Sequence, residues 1–257
     1  MTIKSRIENG VCYLILNRPE VFNSFNREMA LEFQVLLDQC NNDNNIRAVV
    51  ITGEGKAFCA GQDLAEVVDP EGPAMENIIR EHYNPIIRKI NTLKKPVIAA
   101  VNGVAAGAGA NIALACDIVF ATKSASFIQA FSKIGLIPDS GGTYILPRLI
   151  GIQKAMALMM TGEKVSAEEA ERMNMIYKVL NDESFEEDIS DFAIKISKMP
   201  TFGLALTKKV VYEGYGRDLN AQLELEEKYQ TIAGNTEDFK EGVHAFLEKR
   251  TPNYKGY

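Results

Sequence analysis

Asp139 lies in the stretch GLIPDSGGTY, residues 135–144, a loop that otherwise consists of glycine, proline and other small or apolar residues. An aspartate carboxylate shielded from water can take a proton from carbon and return it at another position. In the loop before a helix, the same side chain can also accept hydrogen bonds from the first N–H groups of that helix. Such a cap contributes about 1 kcal/mol. The residues alone leave both roles open for Asp139, general base or helix cap.

Two other stretches are rich in glycine and alanine. They are GKAFCAGQDL, residues 55–64, and VNGVAAGAGANIALACD, residues 101–117. Backbone N–H groups in such stretches can stay free to hold an anion or a polarised carbonyl oxygen. A plain turn and tight helix–strand packing are the structural alternatives. Neither stretch has the GxGxxG order of a dinucleotide site or the GxxxxGK[ST] order of a phosphate loop, so nucleotide chemistry is not supported.

Strand and helix patterns alternate through roughly the first 180 residues. GVCYLILNRP and IRAVVITGEG are typical of strands, and FNREMALEFQVLLDQCNN has the apolar spacing of a helix. From Phe185 onward the pattern is wholly helical. The sequence therefore predicts an α/β fold, with a mixed core over residues 1–184 that carries the site and a helical region over residues 185–257.

Composition excludes several classes of function. The chain has 257 residues and a formal net charge of −6, without a basic patch that would bind nucleic acid. Two histidines and four scattered cysteines argue against a metal site and for free buried thiols. The sequence shows neither a signal-peptide core nor an apolar run long enough to span a bilayer. A cytoplasmic location without membrane contact is therefore expected.

Taken together, the three stretches resemble, in order and spacing, the crotonase (enoyl-CoA hydratase/isomerase) superfamily. LNRPEVFNSFN near the start and FLEKRTPNYKG at the end are also similar to it, so the resemblance covers essentially the whole chain. It implies a crotonase-like spiral of β-β-α turns followed by a C-terminal helical trimerisation region, assembled as a homotrimer or hexamer. It also implies an acyl-CoA thioester substrate. Coenzyme A is then part of the substrate, and no permanently bound cofactor is expected.

The resemblance further implies which residues touch the ligand. Two backbone N–H groups, those of Ala60 and Ala108, are expected to hold the thioester oxygen as negative charge develops on it. Lys249 is equally well read as an ordinary solvated lysine, although by resemblance it and Phe246 reach a neighbouring subunit's ligand. The expected coenzyme A contacts are Val21, Phe22, Gln62, Asp63, Leu64, Phe246 and Lys249.

The residues around the acyl group favour one branch of the family. Hydratases similar to this chain carry glutamates where it has Asn111 and Phe131, and glycine where it has Asp139. The pattern resembles isomerases of ring-epoxide phenylacetyl-CoA or of Δ3,Δ2-enoyl-CoA. Asp139 is then the general base and acid, and Asn111 is either an orienting group or a satisfied polar residue. Apolar neighbours are expected to desolvate the Asp139 carboxylate and raise its pKa; they are Phe131, Ile134, Leu136, Ile137 and Tyr144.

Three alternatives to an isomerase stay open at this point. A hydratase would have to use other groups for water. An aryl-CoA dehalogenase resembles the chain at Asp139, but such enzymes also use a tryptophan, and this chain has none. A non-catalytic binding or scaffold relative, for example one that binds RNA, is disfavoured by the acidic charge.

Overall fold

The computed structural model describes residues 1–256. Within them the chain forms ten β-strands. They are β1 (Ile3–Glu8), β2 (Val11–Leu16), β3 (Ala48–Gly53), β4 (Ala57–Cys59), β5 (Val97–Val101), β6 (Val104–Ala106), β7 (Ile118–Thr122), β8 (Ser126–Ile128), β9 (Lys164–Ser166) and β10 (Lys178–Leu180).

Twelve α-helices and three other helical turns connect and follow these strands. The helices are α1 (Arg27–Asn42), α2 (Leu64–Val68), α3 (Met75–Asn77), α4 (Asn84–Thr92), α5 (Ala108–Leu114), α6 (Gly142–Ile150), α7 (Ile152–Thr161), α8 (Ala167–Arg172), α9 (Phe185–Ser197), α10 (Thr201–Gly214), α11 (Leu219–Gly234) and α12 (Glu237–Glu248). The other turns are the 3₁₀ segments Pro19–Val21 and Ala130–Ile134 and the π-helical segment Ile78–Tyr83.

The strands form two sheets. The larger has the order β1-β2-β3-β5-β7-β10, in which β1 is antiparallel to β2 and the other neighbours are parallel. The smaller has the order β4-β6-β8-β9, with only the β8–β9 pair antiparallel. In the successive pairs β3/β4, β5/β6 and β7/β8, the first strand lies in the large sheet and the second in the small one. Each pair is followed by helix, so the predicted spiral of β-β-α turns is confirmed.

Side-chain patterns explain these elements. Strand β5 is VIAAV, and all five residues are buried, as expected for a parallel strand covered on both faces. Helix α1 begins after Asn26, whose side-chain oxygen accepts the Met29 N–H at 3.0 Å. The strands predicted in GVCYLILNRP and IRAVVITGEG are β2 and β3, and the predicted helix FNREMALEFQVLLDQCNN contains α1.

Two apolar clusters hold the sheets and helices together. One fills the space between the sheets, α1, α4 and α5. The other lies on the opposite face of the large sheet, where Phe185, Ile189 and Ala193 of α9 pack against strand residues including Val50 and Ile98. The described chain is all-helical after β10, as predicted, but α9 packs on the sheet. The division at residue 184 is therefore a change in secondary structure, and its reading as a domain boundary stays a prediction.

No helix within residues 1–256 combines the length and the apolar character needed to cross a membrane.

Candidate active site

The two glycine-rich stretches meet because the strands before them are paired. Strand β4 runs parallel to β6, so the segments after Cys59 and after Ala106 leave the small sheet at the same edge. Gly61, with φ +98°, makes the approach between them possible. A Cβ placed on it would lie 2.9 Å from the Ala106 carbonyl oxygen and 3.4 Å from the Ala108 nitrogen. Any other residue would push the two segments apart.

Ala108 supplies a free backbone donor at this edge. It is the first residue of α5, and Gly107 before it provides no side-chain cap. The first N–H groups of a helix have no acceptor within the helix, and they lie at its partially positive end. In residues 1–256 the Ala108 N–H has no hydrogen-bond partner. Its predicted role as a holder of the thioester oxygen stays a prediction, and the geometry is compatible with it.

The structure contradicts the same role for Ala60. The Ala60 N–H donates to the Phe22 carbonyl oxygen at 3.0 Å and is not available to a ligand. The free donor lies two residues further on. Phe25 pairs with the backbone on both sides of Gln62, donating to Gly61 O at 2.7 Å and accepting from the Asp63 N–H at 2.8 Å.

Successive N–H groups of an extended segment point to opposite sides. The Gln62 N–H therefore points away from Phe25, and it has no partner in the part of the chain that the structure describes. The glycine-rich stretch was recognisable from the sequence, but the identity of its free donor depends on pairing with Phe25, which lies far away in the chain.

Asp139 does not cap the helix that follows it. Helix α6 begins at Gly142 after Gly141, and no side chain accepts a hydrogen bond from its first N–H groups. The Asp139 carboxylate instead accepts a hydrogen bond from the Ser140 hydroxyl at 2.9 Å. Burial raises the pKa of the Asp139 carboxyl above its ordinary value, and the Ser140 hydrogen bond opposes that rise. The arrangement leaves a partly desolvated carboxylate in the loop, which suits a general base.

Asn111 holds the loop of Asp139 in place. Its side-chain amide is 1% exposed and donates to the Asp139 carbonyl oxygen at 2.8 Å. Its own oxygen accepts from Gln129 Nε2 at 2.8 Å. A Cβ on Gly142 would lie 2.3 Å from Asn111 Nδ2, so the amide fits directly beneath the start of α6. Of the two readings in the sequence, orienting group or satisfied polar residue, this geometry supports a satisfied residue that orients the Asp139 backbone.

Phe131 occupies the second position at which similar hydratases carry glutamate. It is 6% exposed, and a Cβ on Gly107 would lie 3.9 Å from its ring tip. An apolar ring therefore lies beside the turn that leads to Ala108. The other apolar neighbours are exposed in the single chain, and their predicted shielding of Asp139 stays a prediction: Ile134, Leu136, Ile137 and Tyr144.

Five of the predicted coenzyme A contacts lie around Ala60: Val21, Phe22, Gln62, Asp63 and Leu64. Val21 is half-buried, Phe22 is 57% exposed, and the Phe22 carbonyl is tied to the Ala60 N–H. Leu64 is also exposed, so this edge presents apolar surface that a ligand can cover. Asp63 has structural partners: it accepts the Ala65 N–H at 3.1 Å at the start of α2, and it pairs with Arg18 at 2.9 Å. Contact with coenzyme A stays a prediction for these residues.

Phe246 and Lys249 lie elsewhere in the single chain. Phe246 is 82% exposed and lines a cavity of about 560 Å³ between C-terminal helices, together with Phe202 and Phe239. Lys249 ends α12 in a left-handed conformation and is exposed. The fold of one chain does not bring them to Asp139. Their predicted contact with a neighbouring subunit's ligand stays a prediction.

A cavity of about 580 Å³ separates α4 and α6 from α10. One wall carries an ion pair between Lys208 of α10 and Asp117, with 2.9 Å between Nζ and Oδ2. Lys208 also donates to the Ile90 carbonyl at 2.7 Å. Burial raises the pKa of Asp117, and the Lys208 charge opposes that rise. The pair joins the C-terminal helices to the core.

Comparison with known proteins places these features in context. The model of the family described as "Enoyl-CoA hydratase/isomerase" matches residues 6–257. The 1,2-epoxyphenylacetyl-CoA isomerase of Escherichia coli K12 is 48% identical over 257 residues, covering 99% of this chain and 98% of that protein. A Rhodobacter capsulatus protein named as a probable enoyl-CoA hydratase is 45% identical over 255 residues, with 99% and 98% covered. The trans-2-decenoyl-[acyl-carrier-protein] isomerase of Streptococcus mutans is 37% identical over 253 residues, with 97% and 96% covered.

Solved structures agree with the fold. An enoyl-CoA hydratase from Bacillus anthracis superimposes with a TM-score of 0.93 at 36% identity and covers 100% of both chains. One from Polaromonas sp. JS666 superimposes with a TM-score of 0.92 at 35% identity, covering 98% of this chain and 99% of that one. The similar proteins thus include both hydratases and isomerases.

Proposed function

This chain belongs to the enoyl-CoA hydratase/isomerase family, and from its site we propose that it is an acyl-CoA isomerase with Asp139 as its proton carrier. The observation that supports this most directly is the state of the Asp139 carboxylate. It is partly buried, has a raised pKa, and caps no helix. The positions at which similar hydratases carry glutamate hold Asn111 and Phe131, and neither side chain can exchange a proton.

The thioester oxygen is proposed to bind between the N–H groups of Gln62 and Ala108. Both are free in the structure, and they lie on segments that contact each other through Gly61. Negative charge grows on that oxygen when a proton leaves the neighbouring carbon. Fixed N–H donors stabilise charge where it develops, and the loss of one such donor costs about 3–4 kcal/mol in other enzymes.

The proton is proposed to move in two steps. The Asp139 carboxylate takes a proton from C2 of a 3-enoyl-CoA, and the C–H electron pair moves toward the thioester carbonyl to form a dienolate. The carboxylic acid so formed then gives the proton to C4, and the double bond settles between C2 and C3. One carboxylate is enough because the same group removes and returns the proton. The raised pKa makes the Asp139 carboxylate a stronger base than an ordinary aspartate, which favours the first of these two steps.

The substrate is proposed to be an unsaturated acyl-CoA, with ring-epoxide phenylacetyl-CoA ahead of straight-chain 3-enoyl-CoA. The support is the name of the 48% identical relative, and a second relative is also named as an isomerase. Coenzyme A enters and leaves with the substrate. The exposed apolar side chains of the C-terminal helices, such as Leu219, Phe246 and Leu247, support assembly as a homotrimer or hexamer.

Hydration of a 2-enoyl-CoA is the second candidate, since one relative is named as a hydratase at 45% identity. Hydration needs one group to activate water and another to protonate carbon. Asn111 is committed to the Asp139 carbonyl and to Gln129, and Phe131 is apolar. The side chains at the site therefore favour isomerisation.

The test is incubation of the protein with a 3-enoyl-CoA while the absorbance of the conjugated 2-enoyl thioester is followed. We expect the wild type to form 2-enoyl-CoA and the Asp139→Asn variant to turn over about 10³-fold more slowly with unchanged ligand binding. Asp191→Asn, an exposed carboxylate on α9, is the matched control. Near wild-type turnover by Asp139→Asn would remove Asp139 from the mechanism. A parallel incubation with trans-2-enoyl-CoA tests the hydratase: formation of 3-hydroxyacyl-CoA there, without turnover of 3-enoyl-CoA, would establish it. No reaction with 2-enoyl-CoA, 3-enoyl-CoA or ring-epoxide phenylacetyl-CoA would favour a binding protein.

A further inference from the structure

Tyr83 is a buried tyrosine whose hydroxyl reaches the proposed oxyanion segment. Its side chain is 1% exposed, and its O–H donates to Gln62 Oε1 at 2.8 Å. Tyr83 ends the π-helical segment Ile78–Tyr83. Such wide turns inside helices are rare and are found frequently at functional sites. This role is not recognisable from the sequence, because nothing in EHYNP distinguishes Tyr83 from a core aromatic residue.

The Gln62 side chain is held at both ends of its amide. Oε1 accepts from Tyr83, and Nε2 donates to Glu66 Oε2 at 2.9 Å. The other oxygen of Glu66 accepts the Arg27 N–H at 2.8 Å. The amide is therefore fixed between α1, α2 and the π-helical segment.

The Tyr83 ring also packs against Phe25, the residue that pairs with this backbone. Its centroid lies 6.2 Å from that of Phe25, and Phe25 in turn packs on Phe33 at 5.8 Å. The backbone of Phe25 makes the two hydrogen bonds on either side of Gln62. Tyr83 thus supports the segment twice, through its ring against Phe25 and through its hydroxyl on Gln62.

The hydroxyl keeps its proton under all ordinary conditions. Burial raises the pKa of Tyr83 well above its usual value. A group that stays protonated acts as a constant hydrogen-bond donor and does not exchange protons with substrate.

We propose that Tyr83 is a positioning residue, whose hydroxyl fixes the Gln62 side chain and thereby aims the Gln62 N–H at the thioester oxygen. This inference rests on the proposed function. Its physical basis is that an oxyanion donor is effective only when it is already in place as charge develops. A displacement of about 1 Å can lower a rate by about 10²-fold.

The first test is the Tyr83→Phe variant, which keeps the ring and removes only the hydroxyl. We expect kcat for 3-enoyl-CoA to fall about tenfold and KM to stay within about twofold, because the lost interaction matters most in the transition state. Tyr13→Phe is the matched control. Tyr13 is also a buried tyrosine, and its hydroxyl donates to Ser190 at 3.4 Å, away from the site. A higher KM with an unchanged kcat in Tyr83→Phe would overturn the inference.

A second variant tests the route through Gln62. Gln62→Met keeps the length of the side chain and removes the acceptor of the Tyr83 hydrogen bond. We expect it to lower kcat about as much as Tyr83→Phe does. The double variant should be no slower than either single one, because both remove the same interaction. Losses that multiply in the double variant would show that Tyr83 acts elsewhere.

A spectroscopic readout separates this inference from the proposed function. Butyryl-CoA is saturated and cannot isomerise, and hydrogen bonding to its thioester oxygen lowers the carbonyl stretching frequency. We expect binding to wild type to lower this frequency and binding to Tyr83→Phe to lower it less. No shift in the wild type would overturn the oxyanion site, and with it the role of Tyr83. A full shift in both proteins would overturn the role of Tyr83 alone.

Discussion

The side-chain amide of Asn111 donates to the backbone carbonyl of Asp139 at 2.8 Å, across a sequence separation of 28 residues. Asn111 stands where similar hydratases carry a glutamate, so in this chain the position supports the loop of the proposed base. Gln129 holds the other end of the same amide. The carboxylate and the helix start at Gly142 are therefore joined to α5 through one buried side chain.

Removal of this support should impair both stability and turnover. Asn111→Leu replaces the amide with an apolar group of similar size. It leaves Gln129 Nε2 without its partner and removes one of the two hydrogen bonds to the Asp139 carbonyl, the other being donated by the Gly142 N–H at 2.8 Å. We expect a loss of unfolding free energy of about 1–3 kcal/mol, because a buried polar group is left unpaired. We also expect a lower kcat. Urea denaturation and the 3-enoyl-CoA assay measure the two effects, with the exposed Asn220→Leu as control. An unchanged free energy of unfolding would show that the Asn111 amide does not stabilise the fold.

The rate should depend on pH through Asp139. Proton removal needs the ionised form of the Asp139 carboxyl, and burial raises the pKa of this group. We therefore expect kcat to fall as pH drops through a value above the pKa of an ordinary aspartate. The Ser140 hydrogen bond lowers the pKa of the same carboxyl. Ser140→Ala should therefore move the acid limb of the kcat profile to higher pH. A move to lower pH would contradict this assignment of the titrating group.

The same raised pKa predicts that the base destabilises the fold at neutral pH. A carboxyl whose pKa is higher in the folded than in the unfolded state stabilises folding fully only below the unfolded value. That contribution is lost as pH rises through the folded value. Asp139→Asn should therefore have a higher Tm than wild type at pH 7, and the difference should shrink as pH approaches the ordinary aspartate range. Calorimetry across pH measures this, with Asp191→Asn as the reference. A lower Tm for Asp139→Asn at pH 7 would contradict the prediction.

The ion pair between Lys208 and Asp117 should contribute to the free energy of unfolding and should not affect catalytic turnover. Lys208→Met leaves a buried carboxylate without its partner, which destabilises proteins by about 3–5 kcal/mol. Because Lys208 lowers the pKa of Asp117, the loss should diminish at acid pH, where the carboxyl is neutral. Lys209→Met is the control. Lys209 is exposed and pairs with Glu213 at 3.7 Å, so its loss should change stability by less than about 0.5 kcal/mol. Chemical denaturation at two pH values distinguishes these outcomes.

The sequence predicted the elements and the three stretches of the site because these depend on local patterns. Apolar alternation marks β2 and β3, and small residues mark the edge at Gly61. The choice of donor within the stretch was wrong at Ala60, because it is set by the distant pairing of Phe25 with the backbone around Gln62. Tyr83 and Gln129 were missed for the same reason, since their partners lie far away in the chain.

The residue after Asp139 shows where a local pattern was ambiguous. DSGGT is compatible with a helix that begins directly after the aspartate, which would make Asp139 its cap. Helix α6 instead begins at Gly142, after two residues with positive φ, Ser140 and Gly141. The helix therefore starts three residues after Asp139, and the carboxylate does not cap it. Sequence periodicity does not resolve a shift of this size.

The parallel arrangement of β4, β6 and β8 determines how much of the chain must fold before the site is complete. Parallel neighbours cannot be joined by a short hairpin, so successive strands of the small sheet are connected through a strand of the large sheet. Gln62, Ala108 and Asp139 follow three different turns, and no nascent fragment can present all of them. Catalytic turnover therefore requires that all three turns are folded in the same molecule.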